Sequence, residues 1–183
     1  DIREDADGNI WIVLPNQGLF RYDSDGLVHY PFGDPKLPDQ GNPQCLCVDR
    51  SGRLWVGTNG KGVYLYNREN DKFTQYLGDN SGETLFGENI YKMCDYGDEL
   101  VIGIHEGKLR KLNKRKNILT DVNAPEVHYK IIRDVACFDD ELWVGTQSGV
   151  YVINELKNKI SHIYNDPMCS YSLSDNQIGR IYR

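Results

Sequence analysis

The sequence lacks several features by which common protein classes are recognised. Its 183 residues contain no long apolar run, and the mean hydropathy is −0.58, whereas a membrane helix needs about 18 consecutive apolar residues. Acidic residues outnumber basic ones by 27 to 21, so the formal net charge is −6. Proteins that bind nucleic acid usually carry a basic surface. The composition therefore argues against both a membrane helix and a nucleic-acid partner.

Motifs for catalysis and for metal binding are missing as well. There is no Gly-x-Ser-x-Gly elbow and no His-Glu-x-x-His pair. The glycine-rich stretch 57–62 lacks a Ser or Thr after Lys61 and leads into a strand pattern, so it does not predict a nucleotide site. No Cys-x-x-Cys spacing suggests zinc. We therefore expect no catalytic residue, metal ion or cofactor in this chain.

Cysteine is sparse, and its placement favours a structural role. Cys45 and Cys47 are two residues apart, so they share one face of a strand and are badly placed to bridge each other. The default expectation for all five cysteines is a small apolar core residue. The five are Cys45, Cys47, Cys94, Cys137 and Cys169.

Glycine and aromatic residues, by contrast, are abundant. The chain has 18 Gly, 12 Tyr, 5 Phe and 3 Trp but only 2 Met. Glycine favours tight turns, and aromatic residues favour strands. The composition predicts an all-β fold of many short strands.

An internal repeat determines which all-β fold is expected. Four segments align on one residue, and these anchors are separated by 44, 46 and 42 residues. The anchors are Trp11, Trp55, Val101 and Trp143. Each begins a hairpin within a unit of four short strands, and such units recurring every 40–45 residues or so are typical of β-propeller blades.

The predicted blades span residues 1–31, 44–77, 89–121 and 131–164, and residues 176–183 are expected to supply the first strand of a fifth blade. Both ends cut through the repeat, which favours a partial propeller from a larger ring over a closed four-bladed ring.

The consensus of the repeat resembles a known family. It reads Asp-x-x-Gly-x-[Leu/Ile]-Trp-[Ile/Val]-Gly-Thr and then Gly-[Leu/Val]-[Phe/Tyr]-x-Tyr-[Asp/Asn], which is similar to the two-component regulator propeller repeat. Residues 171–178, Tyr-Ser-Leu-Ser-Asp-Asn-Gln-Ile, are similar to the way such repeats lead into the next blade. The third blade departs from the pattern with Val101 and Ile104 in place of Trp and Thr, and the first has Val13 in place of Gly.

The resemblance implies a propeller of about seven blades in the periplasmic sensor region of a Bacteroides-type hybrid two-component histidine kinase. It implies an oligosaccharide ligand, control of polysaccharide-utilisation genes, and contacts with adjacent blades and downstream sensor domains of the same polypeptide; it leaves a homodimer open. This segment itself is expected not to be an enzyme. The alternatives are a periplasmic or secreted propeller enzyme of the polysaccharide lyase or hydrolase type, and a protein-interaction scaffold.

Ligand contacts are expected on the face of the propeller that collects the turns between second and third strands and the connections between blades. The turns place Asn16, Asn59, His105 and Gln147 near one repeat position. From the connections we select the residues Phe86, His128, Tyr129 and Tyr171. The connections also contain Phe32, Asp34, Asp39, Gln40, Asn80, Glu83 and Asp166.

Two further features have both a structural and a functional interpretation. The tryptophans recur in one strand register, which favours packing between blades over stacking on a sugar. The basic run from Lys108 to Lys116 holds six cations in nine residues. It is expected to be a solvated turn, with contact to an anionic sugar or a partner surface as the alternative.

Overall fold

The computed structural model describes residues 1–14, 16–30, 41–78 and 84–182, and it consists mainly of β-strands. The candidate residues Phe32, Asp34, Asp39, Gln40, Asn80 and Glu83 lie outside these ranges. In chain order the strands are β1 (Ile2–Glu4), β2 (Ile10–Leu14), β3 (Gly18–Asp23), β4 (Gly26–Tyr30), β5 (Asn42–Val48), β6 (Leu54–Lys61), β7 (Val63–Asn67), β8 (Lys72–Tyr76), β9 (Phe86–Tyr96), β10 (Glu99–Ile104), β11 (Leu109–Asn113), β12 (Leu119–Asp121), β13 (Ile132–Phe138), β14 (Glu141–Thr146), β15 (Gly149–Asn154) and β16 (Lys159–Ile163). Short 3-10 turns occupy His105–Gly107 and Pro125–Val127. Among the described residues no helix is long and apolar enough to cross a membrane.

The strands form four antiparallel blades of four, which confirms the predicted fold class. Blade 1 is β1–β4, blade 2 is β5–β8, blade 3 is β9–β12 and blade 4 is β13–β16, and neighbours in sequence pair within each blade. Blades 2 and 3 are also joined, because the long strand β9 pairs with the end of β6. The first strand of each blade is the inner one, and the cores lie between successive blades.

The first hairpin of blade 2 shows why the Asp-x-x-Gly motif recurs. The main-chain oxygen of Asp49 accepts a hydrogen bond from the Gly52 amide at 2.7 Å, and its carboxylate accepts from the amides of Ser51 and Arg53. Aspartate favours such turns because its side chain bonds to the backbone just ahead of it. The same carboxylate accepts the indole N–H of Trp55 at 3.0 Å, so the turn and the buried ring fix each other.

The anchor tryptophans pack between blades, as their repeated strand register predicts, where a following blade covers them. Trp11 and Trp55 are fully buried, and the ring of Trp11 contacts Tyr66 and Phe73 of blade 2. Trp143 in blade 4 is only half-buried, and its indole N–H donates to Glu141. The structural interpretation is therefore confirmed for Trp11 and Trp55.

The glycine two residues after the anchor is required by close approach of the next blade. A Cβ on Gly57 would lie 2.7 Å from Ile90 in the inner strand of blade 3, and a Cβ on Gly103 would lie 3.1 Å from Ile132 in that of blade 4. On Gly145 it would lie 2.6 Å from Ile178. The glycine thus recurs because adjacent blades pack closely at this position.

Residues 176–182 accordingly run along blade 4 where an inner strand would lie. The Ile178 amide donates to the Thr146 oxygen, and the Gly149 amide donates to the Asn176 oxygen. No residue of this segment belongs to a strand ladder. In the four blades the first strand pairs with the second strand of its own hairpin, and none of the described strands is such a partner for this segment.

The basic run is not the solvated turn that the sequence suggests. Lys108, Arg115 and Lys116 are exposed, but Arg110 and Lys114 are buried. The Lys114 side chain is 5% exposed, and its Nζ lies 2.5 Å from Asp95 and 3.8 Å from Asp49. The expectation is wrong for Lys114 because Asp95 and Asp49 pair with it inside the fold. It is wrong for Arg110 because this side chain is 10% exposed, although its partner Asp121 is 67% exposed.

The cysteines also depart in part from the expectation of free core residues. Cys94 and Cys137 form a disulfide that joins the inner strands of blades 3 and 4. Cys45 and Cys47 are buried free thiols, and burial raises the pKa of each to about 12. Cys169 is exposed. The expectation thus holds only for Cys45 and Cys47, because the register of adjacent blades places Cys94 opposite Cys137.

Candidate functional site

The turns between second and third strands and the connections between blades meet at one end of the blades, which we call the upper face. Asn16 in the first such turn is hydrogen-bonded to Asn42 at the start of blade 2. Asn59 lies near the end of β6, just before the second turn, and is opposite Asn89 in the pairing of β6 with β9. Asn16 and Asn59 therefore lie beside the starts of blades 2 and 3.

Three of these turn residues take part in holding the fold together. The side-chain oxygen of Asn16 accepts from the Asn42 amide group at 2.9 Å. The side-chain oxygen of Gln147 accepts from the Ile131 amide at 2.6 Å. Asn59 contributes through its place in the β6–β9 ladder. Part of the polar capacity proposed for ligand binding is thus used within the protein.

The upper side of blade 3 holds a concavity, which we call the blade-3 pocket. Its volume is about 290 Å³. It is lined by Lys108, Leu109, Arg110, Asp121, Val122, His128 and Tyr129. Two of the residues selected from the sequence, His128 and Tyr129, therefore lie together in one pocket, with charged neighbours that the sequence analysis did not select.

Close packing positions the loop that carries His128 and Tyr129. Gly107 has a φ of +79°, and a Cβ there would lie within 3 Å of the Val127 oxygen and the Tyr129 amide. Only glycine combines this left-handed backbone with such an approach. The turn after β10 thereby supports the loop between blades 3 and 4, whose residues His128 and Tyr129 line the pocket.

Tyr129 itself is held in an unfavourable conformation. Its φ is +61°, and its side chain is 86% exposed. A bulky residue is uncommon in the left-handed region, and little burial of the ring offsets that cost. Such outliers occur preferentially at functional sites. The ring lies 6.3 Å from that of His128 in an edge-on arrangement.

Arg110 forms the inner part of the pocket. Its side chain is 10% exposed, its Nε lies 2.9 Å from Asp121, and its Nη1 donates to the Thr84 oxygen at 3.1 Å. The Asp121 side chain, in contrast, is 67% exposed. The cation is thus desolvated, while its counter-ion is largely in contact with solvent.

The remaining candidates are distributed over the upper face. The His105 ring lies 5.5 Å from that of Tyr91, close to the turn that supports the pocket. Phe86 is exposed, and the Lys61 ammonium lies 4.8 Å from its ring centre. Tyr171 is almost fully exposed on the loop after blade 4. Among the candidates that the structure describes, His128 and Tyr129 are those that line the blade-3 pocket.

The structure also shows a charged cluster on the inner strands that the sequence analysis missed. The Asp1 carboxylate lies 3.6 Å from Lys92 and 3.6 Å from Arg180. Cys45 and Asp134 occupy the position of Lys92 in their own blades, because each pairs with the repeat glycine, at positions 57 and 145. Burial, and then the charge of Arg180, lower the pKa of Lys92. Strand register could have revealed part of this cluster, because Lys92, like Cys45 and Asp134, pairs with the residue two positions after the anchor.

Within the described ranges, no group of three or more His, Cys, Asp or Glu side chains is arranged to hold a metal ion. The blade-3 pocket instead combines cations, a carboxylate, an imidazole and an exposed aromatic ring. These groups can donate and accept hydrogen bonds and can stack on the apolar face of a ring. The arrangement is suited to binding a polar ligand.

Several solved structures are similar to the chain. One is the extracellular domain of a protein assigned as the hybrid two-component system BT4673 of B. thetaiotaomicron, with a TM-score of 0.76, 23% identity and coverage of 100% of this chain and 24% of that one. A second is the extracellular domain of BT3049 of B. thetaiotaomicron, assigned in the same way, with a TM-score of 0.71, 18% identity and coverage of 100% of this chain and 24% of that one. A third is virginiamycin B lyase from Staphylococcus aureus, with a TM-score of 0.67, 15% identity and coverage of 90% of this chain and 54% of that one.

These likenesses establish the fold, and the chain spans about a quarter of the length of the first two proteins. The sequence has no match among curated proteins. A family model described as two component regulator propeller matches residues 36–60, which include the first strand and the turn-to-anchor segment of blade 2. The resemblance drawn from the repeat is thereby confirmed: the chain contains a two-component regulator propeller repeat and has a β-propeller fold.

Proposed function

We propose that this chain is a ligand-sensing segment of a hybrid two-component sensor histidine kinase and response regulator. In this proposal it lies in the periplasm, detects an oligosaccharide, and controls polysaccharide-utilisation genes through the kinase. The observation that carries the proposal is the blade-3 pocket, with its exposed aromatic ring and its charged inner part. The family match and the likeness to two extracellular domains assigned to hybrid two-component systems support it.

The chemistry of the pocket suits a saccharide. An exposed tyrosine ring can stack on the apolar face of a pyranose, and Tyr129 presents such a ring. Hydroxyl groups both donate and accept, and the pair formed by Arg110 and Asp121 offers both functions within one pocket. The pocket is small, so it would bind one ring of a longer chain.

Signalling requires that the ligand bind two states of the receptor with different affinity. The loop of Tyr129 is a suitable sensor because it follows blade 3 and leads directly into blade 4. A saccharide that displaces this loop would change the packing of the two blades. Adjacent blades and downstream sensor domains would transmit that change, and a homodimer would place two kinases side by side.

A propeller enzyme is the second candidate, because the fold is also that of virginiamycin B lyase. A lyase or hydrolase would turn over its substrate, whereas a sensor would release it unchanged. A protein-interaction scaffold would be indifferent to saccharides. These three functions therefore differ in two measurements, affinity and product formation.

The test is a glycan array followed by calorimetry with the purified chain. We expect saturable binding of at least one oligosaccharide, at least a tenfold weaker affinity for Tyr129→Ala, and no change for Tyr22→Ala, which removes an exposed tyrosine from blade 1. Mass spectrometry of the bound saccharide should show no product after prolonged incubation. Product formation would establish the enzyme alternative, and absence of binding to every saccharide would overturn the proposal.

A further inference from the structure

We infer that the blade-3 pocket selects saccharides that carry a carboxylate, such as uronic acids. This inference rests on the proposed function, and it adds the chemical class of the ligand and the residues that recognise it. Three features of the pocket support it: the unequal exposure of a charge pair, a second cation at the rim, and the strained backbone of an aromatic residue.

The first observation is the unequal exposure of the pair formed by Arg110 and Asp121. The Arg110 side chain is 10% exposed, and that of Asp121 is 67% exposed. Water therefore screens the carboxylate strongly and the guanidinium weakly. A carboxylate that enters from solvent would face that cation in a region of low dielectric constant.

The second observation is Lys108 at the rim. Its side chain is 54% exposed, and its Nζ lies 3.5 Å from Glu88, which is at the limit of hydrogen bonding. An ammonium group has three donors, so Lys108 can reach a ligand without losing this contact. Lys108 has an extended backbone, directly precedes β11 and lies two residues before Arg110, so the two side chains point to the same side. Among the described residues that line the pocket, Lys108 and Arg110 are cations and Asp121 is a carboxylate.

The third observation is the left-handed backbone of Tyr129. A φ of +61° costs free energy for a tyrosine, and an 86% exposed ring recovers little of that cost through burial. Asparagine tolerates this conformation better. Tyrosine at this position is therefore explained by a ligand that covers its ring, and a pyranose beside the two cations would do so.

The experiment compares acidic and neutral trisaccharides that differ only in the oxidation state of C6. Three pairs with matched linkage are used: mannuronate with mannose, galacturonate with galactose, and glucuronate with glucose. Calorimetry with the 183-residue chain should show that at least one uronate binds at least tenfold more tightly than its neutral partner. That advantage should fall as the salt concentration rises.

Variants separate charge from stacking. Lys108→Gln should remove most of the preference for the uronate, and Lys116→Gln, an exposed lysine elsewhere in the same basic run, should leave it unchanged. Tyr129→Asn should weaken the binding of acidic and neutral sugars alike while the melting temperature stays the same or rises. Tyr129→Phe should retain affinity.

The outcomes distinguish this inference from the proposed function. If a neutral trisaccharide binds as tightly as its uronate, the acidic class is wrong while saccharide sensing stands. If Lys108→Gln and Lys116→Gln weaken binding equally, the site does not include Lys108 and the inference fails. If neither the uronates nor the neutral sugars bind, and the glycan array is also negative, both proposals fail.

Discussion

Lys114 provides the sharpest test of how the blades are held together, because the sequence places it in a solvated turn and the structure buries it. Its ammonium lies between Asp95 of blade 3 and Asp49 of blade 2, and the three side chains are 5%, 12% and 0% exposed. Replacing it with methionine keeps the length of the side chain and removes the charge. Two carboxylates would then face each other across the interface between the blades.

Removing one partner of a buried ion pair costs about 3–5 kcal/mol. Arg50 and Arg53 also contact these carboxylates, at 3.3 Å and 2.7 Å, and they would compensate part of the loss. We therefore expect Lys114→Met to lower the free energy of unfolding by about 3 kcal/mol, at the lower end of that range.

The measurement is urea denaturation followed by tryptophan fluorescence, with the stability taken from the midpoint and the slope. Lys116→Met is the matched control, since Lys116 is exposed two residues away, and it should change stability by less than about 0.5 kcal/mol. Equal effects of the two substitutions would refute the reasoning. So would a Lys114 variant that is as stable as the wild-type protein.

Three further predictions test other parts of the structure. Gly107→Ala should destabilise the fold by at least about 2 kcal/mol and weaken ligand binding, because its Cβ would collide with the Val127 oxygen. Gly97 has a similar φ but open space around it, so Gly97→Ala should cost only about 1 kcal/mol. Equal losses of stability in thermal unfolding would contradict this reasoning. Burial raises the pKa of Asp49, but hydrogen bonds from its partners outweigh burial and the net pKa is lowered from 3.8. Its contribution to stability is therefore complete above pH 3.8 and is lost as the pH falls through the lowered value. The difference in stability between the wild type and Asp49→Asn should shrink over that interval in a series of denaturation measurements at different pH. A difference that stays constant would argue against this prediction. Reduction of the Cys94–Cys137 disulfide, which closes 43 residues, should lower stability by about 4 kcal/mol in the chain-entropy model, and an unchanged urea midpoint after treatment with dithiothreitol would count against a stabilising bond.

The candidate site could be predicted only in part from the sequence. His128 and Tyr129 could be predicted because they lie in a connection between blades, and the connections of a propeller gather on one face. Lys108 and Arg110 were assigned to a solvated run, since one sequence shows that residues are charged without showing what lies opposite them. Asp121 gave no signal at all, because it is one carboxylate among 27 acidic residues.

The sequence by itself determined the blades. The spacing of the anchors, the Asp-x-x-Gly turns and the alternation within strands are local features, so they specify each hairpin without reference to long-range contacts. Even the glycine at position 57, which the contact with the next blade requires, was visible as a repeated residue.

Only the tertiary structure decided which residues meet between blades. The disulfide from Cys94 to Cys137, the burial of Lys114 and the pocket beside Tyr129 all depend on how one sheet is placed against the next. That placement results from the twist of the sheets and the close packing of side chains from separate repeats. The repeat pattern records that the blades touch, and the packing of the folded chain determines which side chains do so.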